Sequence, residues 1–296
     1  MTDLMDDLDA ILITGPTASG KSALALRLAR EANGAVVNAD SMQVYDTLRV
    51  LTARPSEEEM EGVPHLLYGH VPATSTYSTG EWLRDVTALL SKLRAEGRLP
   101  VFVGGTGLYF KALTGGLSDM PDISQDVRCR LRLRLKDEGP EPLYMELSRR
   151  DLPVAESLEP RDGQRIVRAL EVLEETGQSI SKFQGKQGPK VIDPARAKKL
   201  VVLPDRNILH ERIDRRFEKM LHSGAVDEVR ELMALHPAPD APVMKAIGVA
   251  QVAEMLEGRM SREEVIERGS ALTRQYAKRQ MTWFRNQMDE SWERIC

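Results

Sequence analysis

Residues 15–22 read Gly15-Pro16-Thr17-Ala18-Ser19-Gly20-Lys21-Ser22, the spacing G-x-x-x-x-G-K-[ST] of a phosphate-binding loop. The flanks narrow what the chain can fold into. Ala10 to Thr14 is a short apolar strand, and from Ser22 to Ala32 the residues Leu24, Ala25 and Leu28 recur at helical spacing. Strand, glycine-rich turn and helix together set a phosphate at a helix N-terminus, where backbone N–H groups and the helix dipole favour an anion. Lys21 supplies a point charge, and the Ser22 hydroxyl is placed to hold Mg²⁺. The ligand is a nucleotide or any other diphosphate; the motif does not choose between them.

Further along, strands and helices alternate. Ala35 to Asp40 is a second apolar strand ending in an acid, and Leu99 to Gly105 is a third, after an amphipathic helix around Glu81 to Arg94. This alternation predicts an α/β fold: a phosphate-loop-type parallel sheet with helices on both faces and ligands at the strands' carboxyl ends. From about Asp119 to Lys190 only helical stretches occur, punctuated by Pro121, Gly139-Pro140, Pro153, Pro160 and Gly188-Pro189. We read residues 119–190 as a helical insertion domain, with 1–118 and 191–296 forming the core. Lys199 to Leu203 rejoins the sheet and the remainder is helical. Ser261 and Glu264 form a capping box that opens a helix to about Asn286.

Composition excludes several classes. No apolar run is long enough to span a membrane, and the acidic stretch Met1 to Asp9 is the opposite of a secretory or mitochondrial leader. Cys129 and Cys296 make neither a disulfide framework nor a zinc site, and the histidines lack ligand spacing, so a reduced cytoplasmic setting is expected. The net charge of −4 hides a gradient: Arg128, Arg130, Arg132, Arg134 and Lys136 crowd together, and basic residues recur after Arg196. Such clusters are either solvated helix faces or the footprint of a polyanion.

Chemistry concentrates at the strand ends. An acid at Asp40 is a base, a metal ligand, a ribose acceptor or the cap of the next turn; residue type leaves these open. The third strand ends in Gly104-Gly105 without the acid expected of an NTPase, which makes the diphosphate a leaving group rather than a coupled energy source. Gly104 to Tyr109 lets backbone approach a ligand, or is simply a tight turn. Arg212 and Arg216 share one helix face, where two guanidiniums can clamp a diphosphate. Arg165 and Arg168 share another, with Asp162 nearby for plain ion pairs. In the last helix Arg274, Lys278 and Arg285 lie close to one face among Gln275, Tyr276 and Trp283. Basic and aromatic residues so mixed suit single-stranded nucleic acid, or an amphipathic helix seated by Trp283 and Phe284.

Seven segments, in order along nearly the whole chain, resemble the tRNA dimethylallyltransferases, the isopentenyl transferases of bacterial tRNA modification. They are Gly15 to Ser22, Asp40 to Tyr45, Val63 to His65, Val103 to Tyr109, Gln164 to Val172, Arg212-Ile213 with Arg216-Phe217, and Thr273 to Gln280. The resemblance implies transfer of a dimethylallyl group from dimethylallyl diphosphate to the N6 amine of adenosine 37 in the tRNA anticodon stem-loop, by a Mg²⁺-dependent cytoplasmic monomer. It implies that Asp40, Lys21 and Arg212 are catalytic, with Asp40 the base. The diphosphate would be held by Gly15, Pro16, Thr17, Ala18, Ser19, Gly20, Lys21, Ser22 and Arg216. tRNA contacts would come from Asp40, Ser41, Met42, Gln43, Thr106, Arg128, Gln164, Arg165, Ile166, Val167, Arg168 and Lys245. The last helix would add Thr273, Arg274, Gln275, Tyr276, Ala277, Lys278, Arg279 and Gln280.

Two segments depart from that pattern. Leu51-Thr52-Ala53-Arg54-Pro55 stands where these enzymes usually carry Gly-Thr-Ala-Lys-Pro, and Lys245 to Val249 lacks an aromatic and an arginine that many carry. No Cys/His module follows the core, unlike the eukaryotic branch. The rivals are an adenylate isopentenyltransferase, which needs neither a basic insertion nor the arginine-rich final helix, a small-molecule kinase, against which the missing strand-end acid and the glycine-rich third strand count, and a non-catalytic RNA-binding module, which does not require Lys21 and Asp40 together.

Overall fold

The computed structural model describes residues 8–185 and 188–296; most of the acidic stretch from Met1 to Asp9 lies outside them. The chain divides into two compact units, one formed by the described residues up to Thr114 with Val191–Cys296, the other by Gly115–Lys190.

The first unit is built on a sheet of strands β1 (Ala10–Thr14), β2 (Ala35–Asn38), β3 (His65–Leu66), β4 (Pro100–Gly104), β5 (Ala197–Val202) and β6 (Glu293–Ile295). Their spatial order is β3-β2-β4-β1-β5-β6, and every pairing is parallel. Side-chain alternation splits the core across the sheet. Ile11, Ile13, Val36, Val101 and Val103 pack with Ala25 and Leu28 of α1 (Lys21–Glu31) on one face. Ala10, Leu12, Val37 and Phe102 pack on the other with Trp82, Val86 and Leu90 of α3 (Thr79–Ala95) and Phe110 of α4 (Gly107–Gly115). A short α2 (Glu57–Met60) precedes β3.

After β5 come α10 (Arg206–His222), α11 (Ala225–Ala234), a 3₁₀ turn (Pro242–Lys245), α12 (Val249–Leu256) and α13 (Arg262–Gln287). Ser261 and Glu264 cap α13 reciprocally, as their spacing predicts. Two expectations are corrected, and one strand is added that the sequence reading did not include. β2 ends at Asn38, so Asp40 lies in the turn beyond it. The two-residue β3 adds an edge, because Val36 N donates to Pro64 O at 2.9 Å. The C-terminal stretch is not wholly helical, since β6 pairs with β5. Strands this short carry too little alternation to be legible.

The second unit is helical: α5 (Gln125–Glu138), α6 (Pro140–Arg150), α7 (Leu152–Glu156), α8 (Gly163–Thr176) and α9 (Ile180–Gln184). Asp162 caps α8, its carboxylate accepting from Arg165 N at 3.2 Å. The α8 face of Ile166, Val167, Ala169 and Leu170 meets Leu131 of α5 and Leu143 and Leu147 of α6 in one buried core. Removing Leu170 from that core costs about 2–5 kcal/mol.

Candidate active site

The parallel register brings the carboxyl ends of β1, β2 and β4 together, with Thr14 opposite Gly104 and Asn38 opposite Val103. The phosphate loop leaves β1 here. Its path needs left-handed backbone at Ala18 (φ 65°) and Gly20 (φ 93°). An added Cβ on Gly15 would stand 2.5 Å from Val202 O, so only glycine fits between loop and β5. Lys21 folds back so that its Nζ donates to Pro16 O at 3.2 Å. Burial lowers its pKa to about 8, opposed by the Asp40 carboxylate and reinforced by the Arg216 cation. The buried Ser19 hydroxyl has no hydrogen-bond partner.

Two arginines of α10 face this loop. Arg216 Nη2 donates to Thr17 Oγ1, and Arg212 Nη1 lies 3.5 Å from Ser19 O. Burial lowers the Arg216 pKa, and Asp40 opposes that shift. Among the described residues neither arginine forms an ion pair, so both cations remain available to an anion. Gln280 of α13 closes the loop from the far side, its Oε1 accepting from Thr17 N at 2.9 Å.

Asp40 faces the loop from the end of β2. Asn38 holds the turn, its Oδ1 accepting from Asp40 N at 2.9 Å while its Nδ2 donates to Asp40 O and Leu67 O, each at 3.0 Å. Asp40 Oδ1 accepts from Met42 N at 2.9 Å, and Oδ2 accepts no hydrogen bond among the described residues. Thr106 joins this turn to β4, its Oγ1 accepting from Ser41 N at 3.0 Å and donating to Ser41 Oγ at 3.3 Å. An added Cβ on Gly104 would lie 2.0 Å from Ala39 O, which explains the glycine where the end of β4 meets the segment after β2. Burial, and then the Asp40 carboxylate, push the phenols of Tyr68, Tyr109 and Tyr276 up. Asp40 therefore carries its charge near three tyrosines, Lys21 and Arg216, and one of its carboxylate oxygens accepts no hydrogen bond among the described residues.

This arrangement can hold a diphosphate and take a proton beside it. The chain matches the family model described as IPP transferase over residues 43–287 and that described as isopentenyl transferase over residues 8–68. It is 70% identical over 295 residues to a tRNA dimethylallyltransferase of Agrobacterium fabrum, covering 100% of this chain and 99% of the relative. A tRNA dimethylallyltransferase of Rhizobium johnstonii is 69% identical, with the same coverage of both chains, 100% and 99%. The chain belongs to the tRNA dimethylallyltransferase family. Solved structures agree with this membership. The full-length tRNA isopentenylpyrophosphate transferase of Bacillus halodurans superposes with a TM-score of 0.67 at 32% identity, over 97% of this chain and 89% of that one. A eukaryotic dimethylallyltransferase acting on tRNA gives a TM-score of 0.79 at 29% identity, over 93% of this chain and 69% of that one.

The other residues that resemblance to tRNA dimethylallyltransferases singled out fall into distinct environments. Gln275, Lys278 and Arg279 are exposed on α13, where with Thr282, Trp283 and Asn286 they line a groove of about 540 Å³. Arg279 lies 5.7 Å from the centre of the Tyr276 ring, and Lys245 is exposed on the 3₁₀ turn. Ala277 (1% exposed), Thr273 and Gln280 are buried instead, because α13 turns that face to the core. Arg274 is tied to Asp214 of α10. Gln43 is held inside its own loop, donating to Thr52 O at 2.8 Å and Ala53 O at 3.1 Å.

In the helical unit, the side chains of Ile166 and Val167 belong to the α8 core and not to its surface. Gln164 and Arg165 are exposed, the latter pairing with Asp162 at 3.3 Å. Arg168 pairs with the buried Glu171 at 3.2 Å, and Arg128 has a buried Nε without a hydrogen-bond partner.

Sequence reading missed Asn38, Tyr68 and Glu228. Glu228 of α11 accepts from the backbone N–H groups of Arg49, Val50 and Leu51 at 3.1, 2.6 and 3.0 Å, fixing the loop beyond Asp40. A buried polar Asn38 at a strand end was a usable signal; nothing local marks Glu228. The departure at Arg54 is accommodated by hydrogen bonds to Tyr45 O at 3.0 Å and Asp46 O at 3.1 Å. Among the described residues no three His, Cys, Asp or Glu side chains cluster as metal ligands, and no helix is long and apolar enough to cross a membrane.

Proposed function

We propose that this chain transfers the dimethylallyl group of dimethylallyl diphosphate to the N6 amine of adenosine 37, beside the anticodon of tRNA, acting as a cytoplasmic monomer. The observation that carries this reading is the placement of Asp40, with Oδ2 open, opposite a loop flanked by Lys21, Arg212 and Arg216. The diphosphate lies against the loop amides at the N-terminus of α1. As the amine nitrogen bonds to the allylic carbon, the carbon–oxygen bond to the diphosphate breaks. Lys21, Arg212 and Arg216 neutralise the departing charge, and Asp40 accepts the proton released by the amine.

The residues also fit Mg²⁺. Ser22 sits exposed in the first turn of α1, where its hydroxyl would hold the cation beside the diphosphate. Held there, Mg²⁺ would supply neutralising charge to the diphosphate. The target adenine leaves the anticodon-loop stack to reach the cleft, a step that an unpaired loop makes inexpensive. Thr106 and Ser41 shape the acceptor side. Tyr276, Lys278, Arg279 and Lys245, with Arg128, Gln164, Arg165 and Arg168 of the helical unit, supply contacts to RNA.

The test is incubation with dimethylallyl diphosphate and either tRNA or AMP, followed by nucleoside mass spectrometry. Dimethylallyl adenosine in the tRNA digest is expected. Product from AMP and none from tRNA would replace this reading with that of an adenylate isopentenyltransferase.

A further inference from the structure

Gln280 lies on α13 within the segment expected to touch RNA, yet it is only 6% exposed and both ends of its amide are engaged by the protein. Oε1 accepts from Thr17 N in the phosphate loop, and Nε2 donates to Gly105 O beyond β4, both at 2.9 Å. The fit is tight: an added Cβ on Gly105 would stand 2.2 Å from Gln280 Nε2. Thr17 is held a second time through its hydroxyl by Arg216. Beyond Thr17 the loop runs through left-handed backbone at Ala18 and Gly20 before α1 begins, so regular structure does not fix its course there.

We propose that Gln280 is a positioning residue for the diphosphate, acting as a strut between the phosphate loop and the end of β4. Its amide engages the Thr17 N–H, so that group is turned toward α13. The amides at the start of α1, which have no intrahelical acceptor, are left as the loop's donors to the anion. Holding Thr17 to α13 and Gly105 together keeps those donors converged before the ligand arrives, which is how preorganisation raises affinity. At 6% exposure, and with Oε1 and Nε2 both turned to the protein, Gln280 offers RNA little surface. The inference rests on the reading of the loop as a diphosphate site.

The experiment uses the full chain and a near-isosteric replacement, Gln280→Met, which removes both hydrogen bonds without opening a cavity. Inorganic diphosphate and tRNA are titrated separately, and amide hydrogen exchange is followed across residues 15–20. Diphosphate Kd should rise about five- to tenfold, as expected for a buried hydrogen-bonding pair, with tRNA Kd within about twofold and faster loop exchange. In turnover, KM for the prenyl donor should rise more than kcat falls. Gly105→Ala should give the same signature by displacing the amide, and the double variant should fall short of the sum. It also serves alone should the methionine variant fail to fold. Unchanged diphosphate affinity and loop exchange in the folded variants would overturn the proposal, as would loss of tRNA affinity in place of diphosphate affinity. If the wild-type chain itself fails to bind diphosphate, the reading of the loop falls and this inference with it.

Discussion

The arginines of the cleft and those of the helical unit differ in what they face. Arg212 and Arg216 point at the oxygens of the phosphate loop and pair with no carboxylate among the described residues. In the helical unit most are already matched: Arg130 with Glu174, Arg134 with Glu138 and Glu146, and Arg150 with Glu146 and Glu174. Exposed pairs of this kind stabilise by only about 0–1 kcal/mol, but they consume the cation's hydrogen-bonding capacity. A run of basic residues is therefore not itself a binding surface. The partners decide: Arg128 forms no ion pair among the described residues, and Arg165 forms one, with Asp162, while its side chain stays 75% exposed.

Substitutions can break or sharpen this contrast. Lys21→Ala should lower kcat/KM for the prenyl donor by about 10²–10³ if, as proposed, its charge neutralises the leaving group, with circular dichroism unchanged; unaltered diphosphate affinity would remove the loop from the account. Arg216→Ala should lower it by about ten- to a hundredfold, through diphosphate affinity and not tRNA affinity. The pH dependence of diphosphate binding carries a definite sign. Lys21 loses its proton near pH 8, so affinity should weaken above that pH in the wild type, once the ligand's own ionisation is corrected for, and lose this component in Lys21→Met. The ligand-free chain should conversely gain stability as pH rises from about 8 towards 10.5, because the unfolded chain then binds the proton that folded Lys21 has released. Arg165→Ala with Arg168→Ala should weaken tRNA binding a few-fold and flatten its salt dependence, each lost phosphate contact reducing the slope by about 0.7–0.9. Arg134→Ala should change tRNA affinity least, because its guanidinium is already engaged by two glutamates. Equal losses for Arg134 and Arg165 would erase the distinction.

What the sequence disclosed was periodic or motif-borne. The phosphate loop, the capping box of α13 and the parallel sheet follow from residues close together in the chain. The face a residue turns to its neighbours was harder to read. Ile166, Val167 and Ala277 sit inside a run that resembles an RNA-contacting segment, yet a helix presents several faces and these three lie on the packed one. Gln280 and Glu228 act across 263 residues and up to 179 residues of separation, and no local pattern marks a side chain whose partner is so distant. Asp40 was legible as an acid near a strand end, but its two unequal oxygens were not.

That inequality gives the most direct test. Oδ1 holds the turn through Met42 N, while Oδ2 accepts no hydrogen bond among the described residues. Asp40→Asn can keep the turn bond through its amide oxygen but presents an amide in place of the second oxygen, so it cannot accept a proton. Single-turnover transfer from dimethylallyl diphosphate to tRNA should fall by about 10²–10⁴, the usual contribution of a positioned general base, with both substrates still bound within a few-fold of wild type. Transfer at a near wild-type rate would contradict the account and leave Asp40 as a turn residue.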